Sequence, residues 1–231
     1  MEFSGKIIPT MCEPIAIYSL PPGLHKKYKQ LIVDIASSRN SLDNELVRPG
    51  VGAYEDITFI CSRKHQSVFR QFEQLESLEK IISSLILQYV GQLGYICDEV
   101  FLSNAWINHS KKGATLGMHM HRNSFFSGTY YVNYDPSVHC PIAFQNSRLN
   151  SIMQSPGISL AKDPRKSTPY NMKYLSLPYK EGDILIWLSH VVHGYSVPSK
   201  GDDRIVLGFN AMPRECTESG DIFGFTASPC Y

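Results

Sequence analysis

The spacing of hydrophobic residues changes at about residue 99 and divides the chain into a helical part and a β part. Before that point, apolar residues recur every three or four positions, as in helices that bury one face. This pattern predicts a first helix in 23–40, after Pro21 and Pro22, and a longer second helix in 65–93. The stripe of the second helix comprises Val68, Phe69, Phe72, Leu75, Leu78, Ile81, Ile82, Leu85, Ile86 and Tyr89. Between the helices, 48–60 reads as a loop followed by a strand.

From residue 99 onward, apolar and polar residues alternate in short runs separated by Gly, Pro, Asn and Asp, which is typical of antiparallel sheets. Eight strands are predicted, at 99–109, 114–121, 126–134, 141–146, 172–179, 182–189, 193–197 and 204–212. Such a series favours a double-sheet barrel or jelly roll. The predicted fold class is therefore mainly β with N-terminal helices (α+β). A supporting region, 1–98, precedes a jelly-roll core, 99–231, within one continuous domain.

The amino-acid composition limits which binding partners and which cellular compartment we expect for this protein. The 231 residues suffice for one large domain, and 22 Lys and Arg nearly balance 21 Asp and Glu. This balance predicts neither nucleic acid nor an anionic membrane as the main partner. Six cysteines contain no C-x-x-C pair, the first residues do not resemble a secretory leader, and apolar runs are short for a membrane span. We therefore expect a cytoplasmic protein with reduced thiols.

Two histidines in "GMHMHRNSFFSGTYYV" (117–132) are the first candidates for chemistry. In a strand, His119 and His121 point to the same face, with Cα atoms about 6–7 Å apart, so both imidazoles can bind one metal ion. A third ligand is available from "IWLSHVVHGYSVP", as His190 or His193. Three protein ligands with open positions suit a catalytic metal. The alternative is that these are ordinary barrel or surface histidines.

Arg204 is the second candidate, eleven positions after His193 and at the start of the apolar run "IVLGF". An arginine among core residues faces inward or lies at the barrel mouth, and an inward guanidinium needs an anionic partner. A bound carboxylate, held by two parallel hydrogen bonds, fits this need. The neighbouring Asp202 and Asp203 offer an ordinary salt bridge instead.

The order H-x-H, a distal His and then an Arg about ten residues later resembles the Fe(II)/2-oxoglutarate-dependent dioxygenases. Residues 105–132 and 182–210 look most like a branch of that superfamily with W-x-N, H-x-H followed by an Asn-Ser turn, S-G-x-Y-Y-V, and a final R-I-S-x-x-F-N. The resemblance covers about 100–212, half of the chain. The most frequent ligand pattern of the superfamily is H-x-D, whereas this chain has His121, as the branch does. "WLS" and "RIV" replace the usual F-P-S and R-x-S, which affects substrate contacts more than metal binding.

The resemblance implies an iron site formed by His119, His121 and His193. It also implies that Arg204 holds the distal carboxylate of 2-oxoglutarate and that Tyr131 donates a hydrogen bond to it. Asn108 would lie near the metal-binding end of this cosubstrate. The implied enzyme is an Fe(II)- and 2-oxoglutarate-dependent dioxygenase that consumes O2, releases succinate and CO2 and hydroxylates a substrate that the sequence does not identify. No catalytic residue beyond the metal centre is expected.

Two other functions remain open from the sequence. "GATLGMHMH" fits the opening motif of a cupin, a metal-binding barrel, but the Glu expected shortly afterwards and the P-x-G before the last histidine are missing. A barrel without enzymatic activity would bind a partner through the polar connection 146–171. In the oxygenase reading, that connection, together with Asn123 and Ser124, is a candidate lid that selects the substrate.

Overall fold

The computed structural model describes residues 13–38, 47–50, 54–61, 67–146, 154–155, 158–159, 161, 163–166, 168, 171–216 and 225–227. The helical elements are α1 (Pro22–Ser37), α2 (Val68–Gln71), a 3₁₀ turn (Glu73–Leu75) and α3 (Glu76–Gln92). The first seven strands are β1 (Ile15–Ser19), β2 (Val47–Pro49), β3 (Ile57–Ile60), β4 (Val100–Ser110), β5 (Phe126–Asn133), β6 (Ile142–Gln145) and β7 (Gln154–Ser155). The others are β8 (Ile158–Ser159), β9 (Tyr174–Leu175), β10 (Asp183–Leu188), β11 (His193–Tyr195), β12 (Arg204–Pro213), β13 (Glu215–Cys216) and β14 (Phe225–Thr226).

Two antiparallel sheets form the barrel, which confirms the predicted jelly roll. The larger sheet has seven strands in the order β1-β10-β5-β12-β4-β3-β2, and the smaller has the order β11-β6-β9. One apolar core lies between the helices and the outer face of the larger sheet, and a second lies inside the barrel. Strand β5 separates them: Tyr130 belongs to the outer core and Tyr131 to the inner one, as the alternation of side chains requires.

The strand predicted at 114–121 is wrong as a continuous strand. Within the described residues, this segment contains only an isolated bridge, in which His119 and His193 exchange backbone hydrogen bonds of 2.9 and 2.8 Å. The segment lies extended beside β11, whose three residues pair in regular register with β6 on the other side. The approach is close, because a Cβ on Gly194 would lie 2.7 Å from the carbonyl oxygen of Leu116.

The helical predictions are confirmed in part. Helix α1 agrees with the predicted segment, but the single long helix is wrong, because Phe72 adopts an extended conformation (φ −124°, ψ 95°) between α2 and the 3₁₀ turn. The apolar stripe is nevertheless buried or packed against the outer core on both sides of this break. A stripe reports which side of a segment is buried, and a broken helix buries the same side as a continuous one.

The N-terminal region also supplies strands to the larger sheet. Strands β2 and β3 extend it beyond β4, and β1, which the sequence pattern did not reveal, pairs with β10 along its edge. The strand predicted at 172–179 reduces to β9. None of the helices in the described ranges has the length and apolarity of a membrane-spanning helix. Most of the candidate lid, 146–171, lies outside the described residues.

Candidate active site

His119, His121 and His193 come together, with potential ligand atoms within 4.8 Å of one another. Their ring centroids are 4.5–5.2 Å apart. The bridge between the extended segment and β11 brings His119 beside His193, and His121 follows two residues later, as strand spacing predicts. His190 is turned away: its side chain is largely exposed, and Nε2 lies 3.3 Å from Oε2 of Glu13. The structure thus distinguishes the two candidates for a third ligand.

Hydrogen bonds fix the orientation of all three imidazoles. Nδ1 of His119 donates to the carbonyl of Gly117 (2.7 Å), and Nδ1 of His193 donates to that of Val191 (2.9 Å). Nδ1 of His121 lies 2.6 Å from the amide oxygen of Asn210. Because carbonyl oxygens can only accept, each Nδ1 carries the hydrogen and each Nε2 keeps its lone pair. Three imidazoles that present Nε2 in this arrangement fit a divalent transition metal such as Fe(II).

Burial keeps two of these imidazoles neutral. It lowers the pKa of His193 to about 3, and the neighbouring His119 acts in the same direction. Burial also lowers the pKa of His121, although its hydrogen bond to Asn210 opposes this shift. A neutral imidazole is the form that binds a metal ion, so protons compete weakly at these two positions near neutral pH.

Three neighbouring strands of the larger sheet build the floor of the site. Their alternate residues face into a cavity of about 820 Å³, whose lining includes the three histidines and Arg204. The register of β5, β12 and β4 sets the residues of this inward face in three rows, namely Tyr131–Val206–Asn108, Thr129–Gly208–Trp106 and Ser127–Asn210–Asn104. All of them except Ser127 line the cavity. Arg204 precedes the first row, whereas Asn210, which contacts His121, belongs to the last. The inward face of the sheet therefore has Arg204 at one end and the histidine cluster at the other.

Arg204 is almost fully buried, with 1% of its surface exposed. Its Nε donates to the carbonyl of Cys140 (3.1 Å), and a terminal nitrogen donates to the hydroxyl of Tyr195. The guanidinium carbon also lies 4.6–5.8 Å from the ring centroids of Tyr131, Tyr134 and Tyr195. No described carboxylate forms an ion pair with it. A buried cation held by neutral groups is suited to an anionic ligand.

The two neighbouring aspartates are held away from Arg204, so the ordinary salt bridge is not formed. Asp203 has a left-handed backbone (φ 57°), and its Oδ1 lies 2.8 Å from Nε2 of His109. Nδ2 of Asn133 donates to the backbone oxygen of Asp203 (2.6 Å). Oδ1 of Asp202 accepts the backbone N–H of Lys112 (2.9 Å). These contacts fix both carboxylates on the outside of the turn.

Three buried polar atoms of cavity-lining residues have no hydrogen-bond partner among the described residues. They are the hydroxyl of Tyr131, Oδ1 of Asn108 and Nε1 of Trp187. Leaving such a group unsatisfied costs about 1–3 kcal/mol, so their shared location indicates a polar ligand or bound water. Burial raises the pKa of Tyr131 above its usual value, which keeps its hydroxyl protonated as a donor. Tyr131 and Asn108 were the positions that the sequence suggested for cosubstrate contacts.

Sequence reasoning missed Asn210, Ser127 and Tyr195. Ser127 donates to Oδ1 of Asn210 (2.9 Å) and contacts the hydroxyl of Ser189 (2.7 Å), which in turn contacts Ser124 (2.8 Å). A chain of hydroxyls therefore joins the turn after the two histidines to the amide that orients His121. Strand parity could have revealed Tyr195, two residues after His193, and Asn210, six residues after Arg204 on the same strand face.

Comparison with known proteins agrees with this geometry. Residues 104–210 match a family model described as "Putative 2OG-Fe(II) oxygenase". That range contains all six residues suggested as iron or cosubstrate contacts. Among curated proteins, none matches the sequence significantly. The family match favours the oxygenase over the cupin and over a barrel without enzymatic activity.

Several solved structures share this fold. A prolyl-4-hydroxylase from Pseudomonas putida is 13% identical, with a TM-score of 0.55 over 87% of this chain and 93% of that chain. The epimerase SnoN, in complex with Fe3+, alpha ketoglutarate and nogalamycin RO, is 14% identical, with a TM-score of 0.60 over 95% of this chain and 89% of that chain. HygX from Streptomyces hygroscopicus, with nickel, 2-oxoglutarate and hygromycin B bound, is 9% identical, with a TM-score of 0.54 over 87% and 83%. At these identities, the likeness establishes the double-stranded barrel.

Proposed function

We propose that this chain, a 2-oxoglutarate- and Fe(II)-dependent oxygenase by its family match, binds its ferrous iron through Nε2 of His119, His121 and His193. The observation that carries the proposal is the convergence of three imidazoles whose Nδ1 atoms are all occupied as donors. Such a centre has three protein ligands and leaves further positions for the cosubstrate and O2.

Arg204, Tyr131 and Asn108 are the proposed contacts of 2-oxoglutarate. Arg204 supplies a buried positive charge with a planar donor fork, which suits the distal carboxylate. The hydroxyl of Tyr131 is a buried donor that needs an acceptor, and the same carboxylate would satisfy it. Asn108 lies in the same row as Tyr131, two strands away, and its amide N–H group is the part of the side chain that could donate to the cosubstrate. The bound carboxylate would thus give the buried guanidinium of Arg204 a counter-charge and the hydroxyl of Tyr131 an acceptor.

Bound iron and 2-oxoglutarate would supply the oxidising chemistry, in which O2 converts the keto acid to succinate and CO2 and oxidises a C–H bond of the substrate. The residues of this chain hold the reactants in place. Arg204 anchors the cosubstrate, the carbonyl partners fix the imidazole rings, and Trp187 and Val206 shield the cavity from water. Hydroxylation is the proposed outcome, and no protein side chain is assigned as an acid or base. A cytoplasmic location remains a prediction from the sequence.

Anaerobic titration tests the iron site. His119→Ala, His121→Ala and His193→Ala should each weaken Fe(II) binding severely, whereas His190→Ala, the matched control from the same turn region, should bind like the wild type. Addition of 2-oxoglutarate to the iron-loaded wild type should then produce a visible charge-transfer band. Wild-type iron affinity in the His193 variant would move the third ligand elsewhere. Iron binding without the band would refute the assigned cosubstrate site.

A further inference from the structure

We propose that the substrate presents an uncharged, planar ring to the metal centre, and that Trp106 and Tyr54 receive this ring. The inference rests on the proposed function, because the three histidines define where the reacting bond must approach. It goes beyond that function by naming the chemical class of the group that enters the cavity. The evidence comes from the placement of the two aromatic side chains and from the charges around them.

Trp106 forms part of the cavity wall beside His121. It lies in the middle of β4, directly opposite Gly208 of β12, and its indole is only partly buried. A Cβ atom at position 208 would lie 2.7 Å from the indole ring, so only glycine allows the ring to lie flat over the neighbouring strand. The indole and the imidazole of His121 are 5.9 Å apart with an interplanar angle of 64°. The indole therefore lies directly beside an imidazole of the proposed iron site.

Tyr54 takes the equivalent place beside His119. Their ring centroids are 5.9 Å apart with an interplanar angle of 68°, and Phe59 supports Tyr54 from a ring distance of 6.0 Å. Tyr54 and Phe59 are also only partly buried and line the same cavity. The two neighbouring histidines are therefore flanked by an aromatic ring each. A flat group that enters here gains ring contacts, which favour offset or edge-to-face packing.

Charge distinguishes between the flat groups that this site could bind. Among the described residues, the cavity lining contains no Asp, Glu or Lys, and its only permanent charge is that of Arg204. The proposed function assigns Arg204 to the carboxylate of 2-oxoglutarate. A cationic ring would thus be buried beside the proposed Fe(II) without a counter-charge, which is strongly unfavourable. An anionic ring would be attracted to the same cations as 2-oxoglutarate and would compete with it for Arg204 and the metal. Amides at Asn104 and Asn123 add polarity without charge. These features favour an uncharged ring.

The protein contains only two tryptophans, Trp106 and Trp187, which provides a direct test. Trp187→Phe leaves Trp106 as the single indole fluorophore. We would load this variant anaerobically with Fe(II) and 2-oxoglutarate and titrate it with four probes of similar size. Benzamide is planar and uncharged, cyclohexanecarboxamide is uncharged but not planar, benzoate is anionic, and benzyltrimethylammonium is cationic. Equilibrium dialysis of the wild type with the same probes checks that the result does not depend on the Trp187 substitution.

Benzamide should change the Trp106 emission and bind about tenfold more tightly than the other three probes. Trp106→Leu removes the fluorophore, so its affinity for benzamide is measured by equilibrium dialysis. It should be about 3- to 10-fold weaker, the range expected for loss of one aromatic pair. Phe101→Leu is the matched control, because Phe101 lies on the same strand outside the cavity lining. If Trp106→Leu does not fold, Tyr54→Leu, in the turn before β3, tests the opposite wall with the same expectation.

Tighter binding of benzyltrimethylammonium would overturn the proposal, because the rings would then recognise a cation. Equal binding of all four probes, or wild-type affinity in the Trp106 and Tyr54 variants, would also overturn it. The charge-transfer band of the iron-loaded protein separates this failure from that of the proposed function. If the band forms and benzamide does not bind selectively, only the ring proposal fails. If the band never forms, the proposed function fails and the ring proposal with it.

Discussion

The amide oxygen of Asn210 lies 2.6 Å from Nδ1 of His121, so the last inward-facing row of the barrel orients a histidine of the candidate metal centre. The same oxygen accepts the hydroxyl hydrogen of Ser127. Because the single hydroxyl hydrogen of Ser127 is used in this way, Ser189 must donate to Ser127. The amide is therefore fixed as an acceptor, and it holds His121 with Nε2 available as a ligand.

Replacement of Asn210 should weaken metal binding. Asn210→Ala removes the acceptor and should lower Fe(II) affinity about 10- to 100-fold, as expected when an outer partner of a ligating histidine is lost. Asn210→Asp keeps an acceptor and should retain most of the affinity. Anaerobic Fe(II) titration, compared with the thermal stability of the metal-free variants, provides the measurement. Thr129→Val serves as the control, because Thr129 lines the cavity in the adjacent row. Equal iron affinity in the Ala variant and the wild type would contradict this role.

Arg204→Ala should leave iron bound but weaken 2-oxoglutarate binding by about 2–5 kcal/mol, the usual effect of removing one partner of a buried charge-assisted pair. This corresponds to roughly 30-fold to several thousand-fold in Kd. Tyr131→Phe should cost about 0.5–1.5 kcal/mol, because it removes one hydroxyl and keeps the ring. Titration of the charge-transfer band with 2-oxoglutarate measures both. Unchanged affinity in the Arg204 variant would mean that the cosubstrate carboxylate binds elsewhere.

The hydrogen bond that holds the backbone of Asp203 should affect the affinity for 2-oxoglutarate. Asn133→Ala removes the hydrogen bond that holds the Asp203 backbone, which would allow the carboxylate to approach Arg204 and compete with 2-oxoglutarate. We expect a higher Kd for 2-oxoglutarate and an unchanged Kd for Fe(II).

A second substitution distinguishes competition from a general loss of structure. In the double variant Asn133→Ala/Asp203→Asn, the competing charge is absent, so the affinity for 2-oxoglutarate should recover. No recovery would mean that Asn133 acts only through the shape of the turn.

The metal-free protein should lose stability in mild acid because of His193. An unfolded histidine has a pKa of about 6.5, whereas burial and the nearby His119 lower that of folded His193 to about 3. Since the unfolded chain takes up the proton more readily, this contribution is complete above about pH 6.5 and decreases as the pH falls towards 3. Thermal unfolding of the metal-free protein between about pH 7.5 and about pH 5 should show this decrease.

His193→Gln should have a flatter pH profile, because the replaced side chain does not titrate. His190→Gln should retain the wild-type profile, since His190 is largely exposed. Identical slopes for the wild type and His193→Gln would show that other groups dominate the acid dependence.

Local sequence patterns predicted much of the fold because burial imposes a period on the chain. The short apolar and aromatic runs in 126–134 and 204–212 marked β5 and β12, which are buried on both faces, and the stripe in 23–40 marked α1. The same patterns did not show where an element is interrupted. The stripe around Phe72 is divided between two helical segments, and the segment that contains His119 forms only an isolated bridge. Strand β1 was missed because none of its five residues is fully buried, so burial imposes no alternation on it.

The sequence by itself determined which residue types recur at strand spacing, and therefore that His119, His121, His193 and Arg204 were the candidates for chemistry. Only the tertiary structure decided what these residues contact. It brought His193 rather than His190 to the other two histidines, held Asp202 and Asp203 away from Arg204, and set Asn210 against His121. These outcomes depend on the register between strands that are far apart in the chain. A periodic pattern tells which face of a strand is buried, but the partner across that face is fixed only when the sheets close into a barrel.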